Sequence, residues 1–300
     1  MVKIASNITD LIGNTPLVDL SPLVGGKPGV KLYGKMEGHN PGGSVKDRPA
    51  FWMINEAEKR GDLKPGMKII EATSGNTGIA LAMIACAKGY EIELVMPENS
   101  TRERVLTMEA FGAQVTLTAA AASMEGSIDY AHAKFEENAG AYFMPNQFAN
   151  PDNYAAHVHT TGPEIWRDTE ETVTHFVSAM GTTGTIMGVS RFLKSKNDKI
   201  QIVGAQPKEG ARIPGIRRWP KEYLPKIFEP ARVDRVVDVA QSDAEETTRR
   251  LAREFSVFCG MSAGGAVYSA LQVAAEIDQG VIVTIICDRG DRYLSSDLFG

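Results

Sequence analysis

Four short stretches bring together residue types that can do chemistry. In Asn40-Pro41-Gly42-Gly43-Ser44-Val45-Lys46-Asp47-Arg48, a lysine stands where a Pro-Gly-Gly turn meets apolar positions at helical spacing, Val45, Trp52, Met53 and Ala57. A cation in the first turn faces the positive end of the helix dipole, and a pocket over that end depresses the amine's pKa and leaves it nucleophilic. On this stretch alone, a solvated surface lysine beside Asp47 explains the residues equally well.

The other three stretches are turns that open helices. Thr73-Ser74-Gly75-Asn76-Thr77-Gly78 gathers hydroxyls, an amide and backbone N–H groups at a helix start, which suits a carboxylate or phosphate, or simply caps the helix. Gly181-Thr182-Thr183-Gly184-Thr185 repeats the arrangement; its glycines let the backbone approach an anion and its threonines supply donors. It has neither the lysine of a triphosphate loop nor the glycine spacing of a dinucleotide fingerprint, so a lone phosphate monoester suits it, the alternative being a strand-to-helix turn that binds nothing. In Gly260-Met261-Ser262-Ala263-Gly264-Gly265, Ser262 is the natural side-chain donor and also a natural N-cap. The histidines His39, His132, His157, His159 and His175 are dispersed, with no metal or triad pattern, and read as surface or packed residues. No metal site is expected.

The elements that must position these turns follow from the hydrophobic pattern. Residues 15–18 and 30–37 read as extended, and a helix runs from Val45 to Arg60. Strands at 67–72, 91–96 and 114–118 then alternate with helices at 76–88, 102–111 and 125–138. After a loop at 144–153 come a helix reaching Trp166, a strand at 174–180, a helix at 185–193 and a strand at 200–206. A Pro-rich irregular piece at 210–230 reads as a loop folded over something, and helices at 243–255 and 263–277 and a strand at 281–287 close the chain. This strand-helix rhythm requires parallel sheets covered by helices, in two α/β units that divide near 146–153.

Composition bounds the partners. The 300 residues are 43% hydrophobic and 23% charged, ordinary for a globular enzyme or binding protein, and a net charge of −5 speaks against nucleic acid. Cys86, Cys259 and Cys287 lie far apart, without disulfide or zinc spacing. The start of the chain shows no apolar run of signal-peptide length and the longest apolar run is strand-sized, so a cytoplasmic location and no membrane contact are expected.

A lysine at a helix start, a phosphate cradle and a carboxylate site are the equipment of a pyridoxal phosphate enzyme acting on an amino acid. The lysine stretch, the turns at 73–78, 181–185 and 260–264, Ile12-Gly13-Asn14-Thr15-Pro16-Leu17 and Gln147-Phe148-Ala149-Asn150-Pro151-Asp152-Asn153 together resemble, in order and spacing, the fold-type II pyridoxal phosphate family that includes the cysteine synthases. The resemblance spans essentially the whole chain. Ile213-Pro214-Gly215-Ile216-Arg217-Arg218-Trp219-Pro220 and Cys287-Asp288-Arg289-Gly290-Asp291-Arg292-Tyr293 look most similar to the B-type branch, the O-acetylserine sulfhydrylases that also accept thiosulfate.

The resemblance implies a tryptophan synthase β-like fold. It has two three-layer α/β domains with mostly parallel sheets and pyridoxal 5'-phosphate in the cleft between them. Residues 38–147 would form a smaller mobile domain and 1–37 with 148–300 a larger one. Lys46 would carry the cofactor as a Schiff base and take the α-proton. Gly181, Thr182, Thr183, Gly184 and Thr185 would bind the phosphate, Asn76 the ring 3'-oxygen and Ser262 the pyridine nitrogen. Thr73, Ser74, Thr77 and Gln147 would hold the substrate α-carboxylate, with Arg217, Arg218, Cys287 and Asp288 accommodating the nucleophile. The reaction implied is β-replacement of the acetoxy group of O-acetyl-L-serine by sulfide, giving cysteine, or by thiosulfate, giving S-sulfocysteine, through an α-aminoacrylate. Cystathionine β-synthase, serine or threonine dehydratase and threonine synthase share the same equipment, and a non-catalytic regulatory homologue is a further alternative. A homodimer is implied, without a serine acetyltransferase complex. Pro49 departs from the family pattern: it disturbs a helix that starts at Val45 but not one that starts near Asp47.

Overall fold

The computed structural model describes residues 4–73, 75–138 and 140–299. The chain enters through β1 (Leu17–Asp19), β2 (Val30–Met36) and α1 (Asp47–Arg60). It then builds β3 (Lys68–Ala72), α2 (Asn76–Lys88), β4 (Ile92–Pro97), α3 (Arg102–Ala110), β5 (Gln114–Thr118), α4 (Ser123–Glu137) and β6 (Tyr142–Phe143). The second half adds α5 (Pro151–His159), α6 (Thr161–Asp168), β7 (His175–Ala179), α7 (Gly184–Lys196), β8 (Gln201–Pro207), β9 (Arg235–Val239), α8 (Gln241–Phe255), α9 (Met261–Glu276) and β10 (Gly280–Ile286).

Two sheets result. One has strand order β5-β4-β3-β6, parallel throughout, and the other β1-β2-β10-β7-β8-β9, parallel except for the β1–β2 pair. Each is apolar on both faces, as parallel strands under crossover helices must be. On β10, Ile282 and Ile286 join the core shared with α8 and α9, while Val283 and Ile285 join the opposite core with Ile186, Val189 and Leu193 of α7. On the smaller sheet, Ile69, Leu94 and Met96 face α1 and α2, and Ile70, Ala72 and Val95 face α4. The two-residue alternation of a strand thus sends successive side chains into separate cores, which makes three layers around each sheet.

Three local outcomes differ from the sequence reading or settle it. α1 begins at Asp47 with Lys46 as its cap residue, so Pro49 is the third helical residue; the first intrahelical donor is Ala50 N, on Lys46 O at 3.1 Å, and the proline removes no bond. The helix expected to run to Trp166 breaks at Thr160 (φ −126°, ψ −71°), because Pro163 has no N–H with which to continue the α5 ladder. β6 and β9 went unpredicted: β6 is two residues long, and β9 is an edge strand whose exposed Arg235, Val236 and Asp238 mask its alternation.

Candidate active site

Four helix N-termini converge on one cavity between the sheets. It is lined by Lys46, which caps α1, by Asn76 and Thr77 of α2, by Thr185 of α7 and by Ser262 of α9. Parallel strands feed their helices from the same sheet edge, so helix starts gather there, and their unpaired N–H groups and dipoles create a field that favours anions. Burial drives the Lys46 amine toward its neutral form, partly opposed by nearby Cys287, Asp288 and Glu37. The two glycines before it serve packing: a Cβ on Gly42 would lie 2.6 Å from Asp47 Oδ1, and one on Gly43 2.7 Å from an Arg292 guanidinium nitrogen.

The 181–185 turn has the shape of a cradle. A Cβ on Gly181 would lie 2.7 Å from Gly215 O, and one on Gly184 1.9 Å from Asn153 Oδ1, so both glycines permit contacts no other residue allows. Thr183 is left-handed at φ 69° and its buried Oγ1 has no hydrogen-bond partner, a polar demand that a phosphate oxygen would meet. Thr182 and Thr185 line the cavity. Thr185 Oγ1 lies 3.2 Å from His157 Nε2, and His157 Nδ1 lies 2.8 Å from Thr161 Oγ1. Burial, reinforced by the charges of Arg48 and Lys46, holds His157 well below its ordinary pKa, so it supports the turn as a neutral ring.

The remaining residues singled out in the sequence divide into those at the cavity and those behind it. Thr77 Oγ1 donates to Gln147 Oε1 at 2.8 Å, and Gln147 Nε2 donates to Ala72 O at 3.0 Å, which fixes both side chains on the wall. Thr73 Oγ1 accepts from Gly75 N and Gly78 N at 3.2 and 2.9 Å; it is fully buried and caps α2. Ser74 lies outside the described residues. Cys287 lines the cavity beside Ser262 with its thiol pushed up to about 11 by burial. Arg217 is at the cavity, its guanidinium 5.1 Å from the Trp219 ring centroid. Arg218 is not: it donates to Pro207 O at 2.9 Å and pairs with Asp238 at 2.5 Å on the outer surface, because adjacent residues of an extended segment point to opposite sides. Asp288 is buried behind the wall, where Oδ2 accepts from Asn76 Nδ2 at 2.6 Å and from the Tyr293 hydroxyl at 2.7 Å.

Several supporting residues escaped the sequence reading. Arg48 donates from Nε to Glu37 Oε2 and from Nη1 to Glu164 Oε1, each at 2.7 Å, and Lys35 Nζ reaches Glu164 Oε2 at 2.8 Å. Burial alone would raise the Glu164 carboxyl, but the bonds from Arg48, with Lys35, hold it down at about 2. Glu71, under the wall, accepts from Asn146 N and Gln147 N at 2.7 and 3.3 Å, and its burial raises its pKa to about 7. The 210–230 loop covers the cavity: Trp219 Nε1 donates to Gly181 O at 2.8 Å, and the Trp219 ring meets Phe148 edge-on at 5.4 Å. A buried polar cluster gives no periodic signal, so only the Lys46-Asp47-Arg48 adjacency hinted at this one. Among the described residues no group of His, Cys, Asp or Glu is placed to hold a metal, and no helix is long and apolar enough to cross a membrane.

Comparisons with known proteins agree with this geometry. Residues 8–288 match the model of the pyridoxal-phosphate dependent enzyme family. The chain is 58% identical over 292 residues to cysteine synthase B of Pseudomonas aeruginosa, covering 97% of each chain. It superposes on the crystal structure of cysteine synthase from Entamoeba histolytica with a TM-score of 0.93, at 40% identity, covering 99% of this chain and 91% of that one. It also superposes on the O-acetylserine dependent cystathionine beta-synthase of Helicobacter pylori, with a TM-score of 0.92 at 34% identity, covering 100% of each chain. With a family match over residues 8–288, and with a glycine-threonine cradle and a desolvated lysine at one cavity, the chain belongs to the pyridoxal-phosphate dependent enzymes.

Proposed function

We propose that the chain makes L-cysteine from O-acetyl-L-serine and sulfide by β-replacement, with thiosulfate as a second sulfur donor. The convergence of a desolvated Lys46 and three further helix starts on one cavity carries this reading, and the identity to cysteine synthase B supports its substrate. Gly181, Thr182, Thr183, Gly184 and Thr185 would hold the phosphate of pyridoxal 5'-phosphate at the α7 start, and Lys46 would hold its carbonyl carbon. Bound there, the cofactor supplies an electron-withdrawing ring that acidifies the α-proton of an attached amino acid and lets its β-substituent leave. Asn76 would donate to the ring 3'-oxygen. Ser262 would offer the ring nitrogen a neutral hydroxyl, a partner that does not favour its protonated form and so would moderate the withdrawal.

Thr73, Ser74, Thr77 and Gln147 hold the α-carboxylate in the field of the α2 start, which orients the α-proton toward Lys46. The Lys46 amine, whose pKa burial lowers, would take that proton as general base. Acetate leaves the β-carbon and the sulfur nucleophile takes its place under the 210–230 loop, where Trp219 and Phe148 limit water and Arg217 meets an anionic nucleophile. Residues 38–147 act as a mobile unit that closes on the substrate against 1–37 and 148–300. The enzyme works as a cytoplasmic homodimer without a serine acetyltransferase partner.

Purified protein supplied with pyridoxal phosphate is expected to be yellow and to form cysteine from O-acetylserine and sulfide, with Lys46→Ala losing both the visible band and at least about 100-fold in rate. Release of a 2-oxo acid without cysteine, or faster turnover with homocysteine than with sulfide, would replace this reading with a dehydratase or a cystathionine synthase.

A further inference from the structure

We propose that Arg292 is a positioning residue for the cofactor ring, acting by locking the amide of Asn76 in one orientation. The inference rests on the reading above that Asn76 faces the ring 3'-oxygen. Asn76 is the first residue of α2, after the cap residue Gly75 at φ 144°. Its amide is held from both sides by the segment after β10. Nδ2 donates to Asp288 Oδ2 at 2.6 Å, and Oδ1 accepts from Arg292 Nη1 at 2.5 Å. A carboxylate on one side and a guanidinium on the other define the orientation without ambiguity, since a flipped amide would set donor against donor and acceptor against acceptor. Asp288 takes one of the two amide hydrogens and leaves the other for the cavity that Asn76 lines.

The second arm of Arg292 ties this lock to the reactive lysine. Its Nη2 donates to Gly42 O, in the turn that presents Lys46, and Gly43 has no Cβ at the place where the guanidinium passes. The same segment is joined to that turn by a bridge between Ser44 and Asp288 and by the bond from Val45 N to Cys287 O at 2.8 Å. One planar guanidinium therefore spans the two segments that would meet the ring at its carbonyl carbon and its 3'-oxygen. A fork of fixed geometry can do this where a single ammonium cannot. Asp288, buried and committed to Asn76 and Tyr293, belongs to this lock rather than to the reception of an anionic nucleophile, which its charge would repel.

The test is a double-mutant cycle on apo-protein reconstituted with pyridoxal phosphate, read by the cofactor's dissociation constant and by the ratio of its two near-ultraviolet and visible absorption bands. Asn76→Ala is expected to weaken cofactor binding and change the band ratio. Arg292→Met is expected to do the same, with about a tenfold higher Kd, the effect of losing one charge-assisted hydrogen bond. Combined with Asn76→Ala it should add clearly less than it costs alone, because one of its two arms acts through that amide. Arg289→Gln, which removes an exposed guanidinium of the same turn, should leave both readouts at wild-type values. If Arg292→Met does not fold, the isosteric Asp288→Asn takes its place in the same cycle, with the same expected signature. An unchanged band ratio in Arg292→Met, or an effect that adds fully to Asn76→Ala, would overturn the lock. An unchanged spectrum in Asn76→Ala itself would instead remove the role of Asn76 on which the lock depends.

Discussion

Lys46 and Arg217 are the two cations at the cavity whose pKa burial lowers, and they answer different questions. The turn before Lys46 and the helix after it fitted a reactive and a solvated lysine equally well; its burial became visible only in the fold, where Ser262 and Cys287 line the same cavity. Arg217 and Arg218 were indistinguishable in sequence and separate in the fold, one toward Trp219 and the cavity, the other toward Asp238 and solvent. Arg217→Ala should therefore raise the KM for thiosulfate about tenfold while leaving that for sulfide nearly unchanged, and Arg218→Ala should alter neither. Steady-state rates with both donors on one preparation check this. Equal losses with the two donors would assign Arg217 to the architecture of the loop instead.

At the scale of elements, α1 carries the lysine at its start and is anchored two residues later through Arg48 to Glu37, after β2, and to Glu164 on α6. Truncating a buried ionic partner strands the charges it satisfied, so Arg48→Met should cost about 3–5 kcal/mol of stability, measurable by denaturant unfolding. Glu164 adds a pH signature. Its folded pKa, about 2, lies below the usual 4.5, so its contribution is fully present above 4.5 and is lost as the pH falls through that value toward 2. The difference in melting temperature between the wild type and Glu164→Gln should shrink across that window, and a constant difference would mean that Glu164 is not charged in the native state. Glu71 runs the opposite way. Its folded pKa, about 7, lies above the usual value, so its contribution is largest below 4.5 and declines as the pH rises through 7. Thermal melts of Glu71→Gln should show a flatter profile than the wild type between those values. Helix and strand existence was legible because hydrophobic period is a local property; the break at Thr160 and the edge strand β9 were not, since one depends on Pro163 within a long polar-apolar run and the other on a neighbour far along the chain.

For the molecule as a whole, the last strand decides the first. β10 lies between β2 and β7, in register from Gly280 against Val30 to Ile286 against Met36, so the larger sheet cannot close until the end of the chain has arrived. Truncation after residue 279 should abolish cooperative unfolding of the larger sheet and leave Val283 and Ile285 out of one core and Ile282 and Ile286 out of the other, which circular dichroism and thermal melting would register. By itself the sequence determined the α/β class, the order of most elements, the glycine and threonine turns and the lysine that sits at a helix start, because each is written in contiguous residues. Only the tertiary structure decided which of two adjacent arginines faces the cavity, why Gly43 must lack a side chain, and that Asp288 and Arg292 hydrogen-bond the Asn76 amide. The last two depend on groups more than two hundred residues apart meeting at one place, and the first on the path of the 210–230 loop, and no local periodicity records either.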